Sequence, residues 1–346
     1  MLKVVMVVNP VRLAKDLPER IRATGVDLSI YTEGDSEEKL LALCQEADYI
    51  ITMQSLFPFT PRVFRGLPKC RFLQTLSIGY DALDIQAATK QGIGIINLRG
   101  FCVEELAEHA MGLMLASARW IAVINHRMKM GKIVLPASPE ADQHMSILKG
   151  KTLGLIGFGG SGRAIVPKAR GFEMKILAYD PYVPPTIFAK FQVEKVSLEK
   201  LLQDADFVSV HTSLTQETRH LIGLEQFHKM KKNAFIINTA RGAIIDERAL
   251  CRALDEGYIA GAGLDTTEQE PVPEDSPLLK YENIILTGHN AGNSPEAKIA
   301  SAVLPARELD RVLRREWPLG LVNPEVKEKF VAKWGEMREP DDASDK

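Results

Sequence analysis

Residues 152–163 read TLGLIGFGGSGR, and this stretch decides the fold of the chain. An apolar run of strand character, TLGLIG, passes directly into Gly157, Gly159 and Gly162, which are spaced as G-x-G-x-x-G and are followed by a helical pattern. In such a strand–turn–helix unit the first glycine permits the tight turn, the second lets the backbone approach a pyrophosphate, and the third lets the helix pack on the strand. The stretch predicts a dinucleotide-binding unit, with a purely structural glycine-rich turn as the alternative.

Asp180 closes the next strand candidate, KILAYD, 18 residues beyond Gly162. An aspartate at this point can accept hydrogen bonds from the ribose hydroxyls of adenosine and would repel a phosphate on that ribose, which favours NAD over NADP. The pyrophosphate is expected on amides at the start of the helix, where the helix dipole is positive. The residues expected around it are Gly157, Gly159, Gly160, Ser161 and Gly162.

Strand candidates alternate with helical stretches over nearly the whole chain, a pattern typical of parallel sheets covered on both faces. The candidates in the first hundred residues are Val4–Val8, Leu28–Tyr31, Tyr49–Met53, Phe72–Leu76 and Ile93–Asn97. The candidates from residue 152 onward are TLGLIG, KILAYD, DFVSVH, NAFIINT, AGAGLD and NIILTGH. Helical patterns cover Ser36–Ala47, Val103 to about Lys129, and about Pro295–Arg315.

The order of these elements predicts the α/β class, with two doubly wound parallel-sheet domains. A Rossmann-type cofactor domain would span residues 102–295, and a flavodoxin-like, discontinuous substrate domain would combine residues 1–101 with residues 296–335. The polar, charged end of the chain, residues 336–346, is expected to be disordered.

Composition narrows the class of function. The 346 residues carry 43 basic and 45 acidic side chains, so nucleic acid is not an expected partner. The cysteines, Cys44, Cys70, Cys102 and Cys251, form no Cys-x-x-Cys pair, which argues against a disulfide framework or a zinc site. No apolar segment approaches the roughly 20 residues that span a bilayer. We expect a cytoplasmic protein with neither a bound metal nor a membrane partner.

Three polar residues follow later strands, at the edge where an open α/β sheet presents its ligand crevice. Arg241 follows NAFIINTA, Glu270 lies shortly after AGAGLD, and His289 follows NIILTG. Arginine can bind a carboxylate in two places, histidine titrates near neutral pH, and a carboxylate beside a histidine favours the imidazolium and orients its ring. The set suits the reduction of a 2-keto acid. Taken singly, each could instead be an ion-pairing arginine, a solvated glutamate or an ordinary loop histidine.

The sequence resembles the D-isomer-specific 2-hydroxyacid dehydrogenase family along nearly its whole length, up to the polar tail. The stretches that carry the resemblance are GYDALDIQAATKQGIGIINLRG, VEELAEHAMGLMLASAR, GLIGFGGSGR, HTSLTQETRHLIG, INTARGAIIDERAL, GAGLDTTEQEPVP and LTGHNAG. The resemblance implies an NAD-dependent interconversion of a small 2-keto acid and its D-2-hydroxy acid. It also implies a homodimer formed through the long helical region.

The resemblance assigns the catalytic roles. The family's arginine in N-x-A-R-G binds the substrate carboxylate, and its glutamate before proline pairs with the catalytic histidine. The catalytic set is then Arg241, Glu270 and His289. Glu268 is a nearby competitor for the carboxylate role, and Glu270 is preferred because it immediately precedes Pro271.

The resemblance also extends the two binding sites. Asp265 would hold the nicotinamide amide, Thr239 would lie beside the nicotinamide ribose, and His211 would line the pocket or merely pack. The residues expected at the cofactor after Asp180 are His211, Thr212, Thr239, Ala240, Arg241, Asp265 and His289. Backbone amides before the G-Y-D stretch would cradle the substrate carboxylate. The residues expected at the substrate are Ser55, Ser77, Ile78, Gly79, Arg241 and His289.

The chain also departs from the family pattern. Cys102 stands where many relatives carry asparagine, and its C-V-E-E stretch is similar to that of a subgroup that includes the C-terminal-binding corepressors. Thr212-Ser213 replaces the usual L-P, and Gly288 replaces the usual proline before His289. These changes leave open which 2-keto acid is used. The alternative function is an NAD(H)-responsive, corepressor-like binding protein with weak or vestigial dehydrogenase activity. A formate dehydrogenase is disfavoured because that family carries glutamine at the position of Glu270.

Overall fold

The computed structural model describes residues 1–53, 56–132 and 145–340. The chain divides into two compact units, Met1–Cys102 with Ser294–Lys346, and Val103–Asn293. The boundaries expected from the sequence, 101/102 and 295/296, lie one and two residues from these. Within the described ranges, no helix is both long and apolar enough to cross a membrane.

The discontinuous unit contains a five-stranded sheet whose pairings are all parallel, in the order β2-β1-β3-β4-β5. This is the flavodoxin-like order, as predicted. The strands are β1 (Lys3–Val7), β2 (Asp27–Tyr31), β3 (Tyr49–Thr52), β4 (Phe72–Thr75) and β5 (Gly94–Ile96). The helices are Leu17–Ala23, Glu37–Cys44, Pro61–Arg65, Ile85–Lys90, Pro295–Leu313 and Lys327–Trp334.

Burial explains why these short segments form strands. The strands β3 and β4 are buried along their whole length, because helices cover both faces of the sheet. Ile50 and Leu73 pack into one layer, while Ile51 and Phe72 pack into the layer on the opposite face. The loops after the strands leave the sheet at its carboxyl edge, where ligands bind in folds of this kind.

The second unit contains a seven-stranded parallel sheet in the order β12-β11-β10-β9-β6-β7-β8. The strands are β6 (Thr152–Ile156), β7 (Lys175–Tyr179), β8 (Glu194–Lys195), β9 (Phe207–Val210), β10 (Phe235–Asn238), β11 (Gly261–Leu264) and β12 (Ile284–Leu286). The helices are Val103–Ala118, Ile121–Lys129, Gly160–Gly171, Pro185–Lys190, Leu198–Asp204, Leu224–Lys229 and Glu247–Asp255. The switch point of this doubly wound sheet lies between β6 and β9.

The strand β8 corrects the predicted strand count of the second unit. The Rossmann order 3-2-1-4-5-6 is made by β8, β7, β6, β9, β10 and β11, and β12 is added at the far edge. The prediction counted β12 and missed β8. Glu194 and Lys195 are both exposed, so this edge strand has no apolar run by which a sequence could reveal it.

The long helical pattern predicted from Val103 to Lys129 is in fact two helices. The first ends at Ala118, and Trp120 adopts a left-handed conformation with φ of 56° before the second begins. The indole of Trp120 is buried, with the Arg127 guanidinium 5.0 Å from its ring centre. As a result Ile121, which fitted the helical spacing, is exposed. Prediction from the spacing of apolar residues assumes a continuous helix, so it cannot detect a break made by a single left-handed residue.

The predicted disordered tail is also partly wrong. The Arg338 N–H donates to the carbonyl of Arg315 at 2.8 Å, and the Trp317 N–H donates to the carbonyl of Arg338 at 2.9 Å. The Arg315 guanidinium donates to the carbonyl of Glu336. Residues 336–340 are therefore part of the discontinuous unit, while residues 341–346 lie outside the described residues.

Candidate active site

The glycine turn after β6 shows why glycine is needed at two of its positions. Gly157 has a φ of +95°, and a Cβ there would lie 2.6 Å from the backbone nitrogen of Thr212. A Cβ on Gly162 would lie 2.4 Å from the carbonyl oxygen of Gly157. A Cβ on Gly159 would instead meet no described atom within 4 Å. The fold itself therefore requires Gly157 and Gly162, but internal packing does not account for Gly159.

Asp180 holds the glycine turn against the end of β7. Its carboxylate accepts hydrogen bonds from the N–H groups of Phe158 (2.9 Å), Tyr182 (2.9 Å) and Val183 (3.1 Å). The side chain thus joins two loops at the carboxyl edge of the sheet. Asp180 lies where a Rossmann fold places the acidic residue that binds the ribose hydroxyls.

His211 connects the end of β9 to the same turn. Its Nε2 lies 2.9 Å from Ser209 Oγ, and its Nδ1 lies 3.2 Å from Ser161 Oγ in the first turn of the following helix. Burial lowers the pKa of His211 to about 4, so its ring is neutral at neutral pH. These contacts give His211 a packing role at the switch point. Contacts of His211, Ser161 and Thr212 with the nicotinamide cofactor stay predictions.

The loop after β10 is shaped by Asn238, which sequence reasoning missed. Its side chain accepts from the Ala240 N–H at 3.0 Å and donates to the carbonyl of Arg241 at 2.9 Å. The Arg241 guanidinium donates to the carbonyl of Ala240 at 2.8 Å. A Cβ on Gly242 would lie 1.9 Å from the carbonyl carbon of Thr267, so this loop packs directly on the segment that follows β11. Thr239 is buried beside it.

Glu270 and His289 form a close pair. Nδ1 of His289 lies 2.6 Å from Oε2 of Glu270, and Oε1 of Glu270 accepts from the Thr267 N–H at 3.3 Å. Burial favours the protonated carboxyl, but the hydrogen bond and charge of His289, the Thr267 amide and the charge of Arg241 outweigh it, so the pKa of Glu270 lies below its usual range. An ionised carboxylate only accepts, so Nδ1 of His289 carries a proton. The other ring nitrogen, Nε2, is the one that can exchange a proton with a ligand.

The competitor Glu268 is engaged elsewhere. One of its oxygens accepts from the Glu247 N–H at 2.9 Å, and the other lies 3.3 Å from Nε2 of His220. The Glu268 N–H in turn donates to the Glu247 carboxylate at 2.6 Å. The structure brings Glu270, and not Glu268, to His289.

Asp265 organises the turn that carries His289, a role that sequence reasoning missed. Its carbonyl accepts from the His289 N–H at 2.5 Å. One carboxylate oxygen accepts from the Thr287 hydroxyl (2.6 Å) and the Asn290 N–H (2.8 Å), and the other accepts from the Ala291 N–H (3.0 Å). The side chain is buried, at 2% exposure. The contact with a nicotinamide amide stays a prediction.

The predicted substrate loop of the discontinuous unit follows β4. Its carbonyls are engaged: Ser77 O accepts from the Leu98 N–H, Ile78 O from the Asn97 side chain and Gly79 O from the Ser77 hydroxyl. Within the described part of the chain, the N–H groups of Ile78 and Gly79 donate no hydrogen bond. Amides without a hydrogen-bond acceptor among the described residues suit the predicted binding of an anion. Ser55 lies outside the described residues.

The described residues thus bring Arg241, Glu270 and His289 to the carboxyl edge of one sheet. Among those residues, no group of three or more His, Cys, Asp or Glu side chains could hold a metal ion. The arrangement can bind a carboxylate at a guanidinium and move a proton at an imidazole that a carboxylate orients.

Comparisons with known proteins point in one direction. Residues 111–291 match the family described as D-isomer specific 2-hydroxyacid dehydrogenase, NAD binding domain. A glyoxylate reductase of Korarchaeum cryptofilum is 40% identical over 291 residues, covering 84% of this chain and 87% of that protein. A D-3-phosphoglycerate dehydrogenase of Methanocaldococcus jannaschii is 39% identical over 303 residues, covering 87% of this chain and 56% of that protein. The crystal structure of a glyoxylate reductase from Paecilomyes thermophila, 29% identical, has a TM-score of 0.83 and covers 94% of this chain and 99% of that one.

Proposed function

Because the chain belongs to the D-isomer-specific 2-hydroxyacid dehydrogenase family, we propose that it reduces a small 2-keto acid with His289 as the proton donor. Family membership makes it an NAD-dependent D-2-hydroxyacid dehydrogenase. The residue roles and the substrate are what we propose. The observation that carries the proposal is the 2.6 Å hydrogen bond between Nδ1 of His289 and the carboxylate of Glu270.

The residues of the glycine turn fit NAD. Packing within the chain does not require glycine at position 159, whereas a pyrophosphate approaching the helix N-terminus would. The amides from Gly157 to Gly162 would hold the pyrophosphate, and Asp180 would hold the adenosine ribose. When bound, NADH supplies the hydride that reduces the substrate carbonyl carbon.

His289 supplies the proton that completes the reduction. Its Nδ1–H is fixed on Glu270, so the imidazolium presents its Nε2–H to the carbonyl oxygen of the substrate. The negative charge of Glu270 stabilises the imidazolium before the transfer and orients the ring throughout. In the oxidation direction, the neutral ring accepts the hydroxyl proton at Nε2.

Arg241 holds the substrate rather than exchanging protons with it. A guanidinium stays charged at all accessible pH values and can bind a carboxylate through two N–H groups. Its backbone is fixed from both sides by Asn238 and by the close packing of Gly242 on Thr267. We infer that the same cation polarises the neighbouring ketone.

Among small 2-keto acids, glyoxylate is the first substrate to test. A glyoxylate reductase aligns over 87% of its own length, whereas the alignment covers only 56% of the phosphoglycerate dehydrogenase. Hydroxypyruvate, phosphohydroxypyruvate and bulkier 2-keto acids satisfy the same chemistry and belong in the same assay.

The test is oxidation of NADH and NADPH by the purified protein with each of these keto acids. We expect NADH-dependent turnover, and His289→Ala should lower kcat by about 10²- to 10⁴-fold because the general acid is lost. Glu270→Gln keeps a hydrogen-bonding group but removes the charge, so this variant should lose less kcat than His289→Ala. His126→Ala, which removes an exposed histidine from the helix Ile121–Lys129, is the matched control and should leave kcat unchanged.

Two outcomes would contradict the proposal. Turnover that survives in His289→Ala would remove His289 from the proton-transfer step. No turnover with any keto acid, by protein that still binds NADH, would reject the enzymatic function and favour an NAD(H)-responsive binding protein.

A further inference from the structure

The turn that carries His289 has an unusual backbone. Gly288 and His289 both adopt left-handed conformations, with φ of 62° and 60°. A residue with a side chain rarely adopts this conformation, so the surroundings must hold His289 in place. The Asp265 carboxylate stabilises the turn by accepting hydrogen bonds from the Thr287 hydroxyl and from the N–H groups of Asn290 and Ala291.

His109, on the helix Val103–Ala118, contacts the same network from another element. Its Nε2 lies 2.8 Å from the Thr287 hydroxyl oxygen and 3.5 Å from the nearer carboxylate oxygen of Asp265. Three-quarters of the His109 side chain is buried. Neither the catalytic set nor the predicted cofactor residues include it.

The chemistry of the three groups settles the direction of these hydrogen bonds. The buried Asp265 carboxylate accepts, so the single Thr287 proton is donated to it at 2.6 Å. Thr287 must then accept from His109, which requires a proton on Nε2 of that ring. The result is a directed chain from His109 through Thr287 to Asp265. It ends on the residue whose backbone carbonyl accepts from the His289 N–H.

We propose that His109 is a positioning residue for the proton-transfer step, acting by fixing Thr287 and Asp265 beneath the His289 turn. The inference rests on the proposed role of His289. Within the described part of the chain, His109 makes hydrogen-bond or ion-pair contacts to Thr287 and Asp265 and none to His289. It sets where the imidazole of His289 lies relative to a bound substrate, and so acts on turnover.

The first test measures the protonation of His109 in the absence of substrate. Heteronuclear NMR of isotope-labelled histidine nitrogens reports which ring nitrogen carries the proton, with the His109 signals assigned by their loss in His109→Gln. We expect a protonated Nε2 on His109 in the wild-type protein, and a shift of that signal in Thr287→Val. A neutral His109 ring protonated only on Nδ1 would reverse the hydrogen bond and overturn the proposal.

The second test reads turnover. His109→Leu and Thr287→Val should each lower kcat by about tenfold or more, measured at saturating NADH and normalised to NADH-binding protein, because displacement of a reacting group by about 1 Å can cost about 10² in rate. His109→Gln keeps an N–H donor and should recover most of the loss. The double variant should be no slower than either single variant, since the two residues act through one contact. His126→Leu is the control and should match wild type.

These outcomes separate the two proposals. Wild-type protein that turns over no keto acid rejects the proposed function, while the NMR experiment still decides the state of His109. If the wild type is active, any of three results would overturn the role of His109. These are a normal kcat in His109→Leu, an equal loss of kcat in His109→Gln and His109→Leu, and a loss in the double variant that equals the product of the two single losses.

Discussion

At the residue scale, two histidines of the second unit differ because their surroundings differ. His289 is half exposed and donates a hydrogen bond from Nδ1 to the ionised Glu270. His211 is placed between the hydroxyls of Ser161 and Ser209, in a site whose burial favours the neutral ring. The first is the proposed proton donor, whereas the second supports the fold only while it stays neutral.

The depressed pKa of His211 predicts a loss of stability in acid. The ordinary pKa of a histidine is 6.5, and the pKa of His211 in the folded protein is about 4. Between pH 6.5 and about pH 4, the unfolded chain therefore binds a proton at His211 more readily than the folded protein does. The contribution of His211 is therefore complete above pH 6.5 and is lost as the pH falls towards about 4. Thermal unfolding of wild type and His211→Asn over this range measures it.

We expect wild type to lose more stability than His211→Asn as the pH falls, so that the difference between their melting temperatures narrows. His126→Asn, which changes an exposed histidine, should follow the wild-type curve. Parallel curves for wild type and His211→Asn would show that His211 titrates normally in the folded protein.

At the scale of elements, the carboxyl edges of parallel strands gather the site. The glycine turn follows β6, Asp180 follows β7, and His211 follows β9. Arg241 follows β10 and His289 follows β12. Residues far apart in the chain meet because every strand of the sheet points the same way. The glycine turn is the element whose sequence requirement is most readily tested.

Alanine at three glycines should separate folding from cofactor binding. Gly157→Ala combines a positive φ with a clash against the backbone of Thr212, so we expect a destabilisation of about 2 kcal/mol or more and loss of NADH binding. Gly159→Ala meets no described atom, so it should fold normally and bind NADH more weakly. Gly171→Ala, at the end of the same helix and equally open, should change neither property.

Denaturant unfolding and NADH titration, followed by fluorescence, measure the two effects. A Gly159→Ala variant with wild-type NADH affinity would place the pyrophosphate elsewhere. A Gly157→Ala variant as stable as wild type would mean that the turn can relax away from Thr212.

At the scale of the whole molecule, the chain builds two separate cores. Each sheet has an apolar layer on both of its faces, and the residues predicted to bind NAD all belong to the unit Val103–Asn293. Two units with their own cores need not unfold in a single step. A ligand that binds only one of them stabilises that one by mass action.

Calorimetry should therefore show two transitions, and NADH should raise the midpoint of only one. At a concentration of about 100 times Kd, the expected stabilisation is about 2.7 kcal/mol, which corresponds to a shift of about 5–10 °C for a unit of this size. The shift should be much reduced in Gly159→Ala. A single transition that moves as a whole would mean that the two units unfold together.

The sequence by itself determined the class of the fold and most of the residues at the sheet edges. G-x-G-x-x-G between a strand and a helix, an aspartate at the next strand end, and apolar runs at regular intervals all report local requirements of the backbone. These requirements depend on residues that are close together in the sequence. Gly157 and Gly162 could therefore be assigned to the turn, and Asp180 to the end of the next strand, without coordinates. The pairing of Glu270 with His289 required knowledge of a family, because each residue alone resembles an ordinary surface side chain.

Only the tertiary structure decided features that depend on distant partners. The strand β8 forms by pairing with β7, although neither of its residues is buried. The break at Trp120 depends on one left-handed residue, and the order of residues 336–340 depends on backbone bonds to Arg315 and Trp317. The network of His109, Thr287 and Asp265 joins a helix to two strand ends across more than 150 positions of the chain. Local sequence patterns cannot predict such contacts, since a hydrogen bond depends on distance in space and not on separation in sequence.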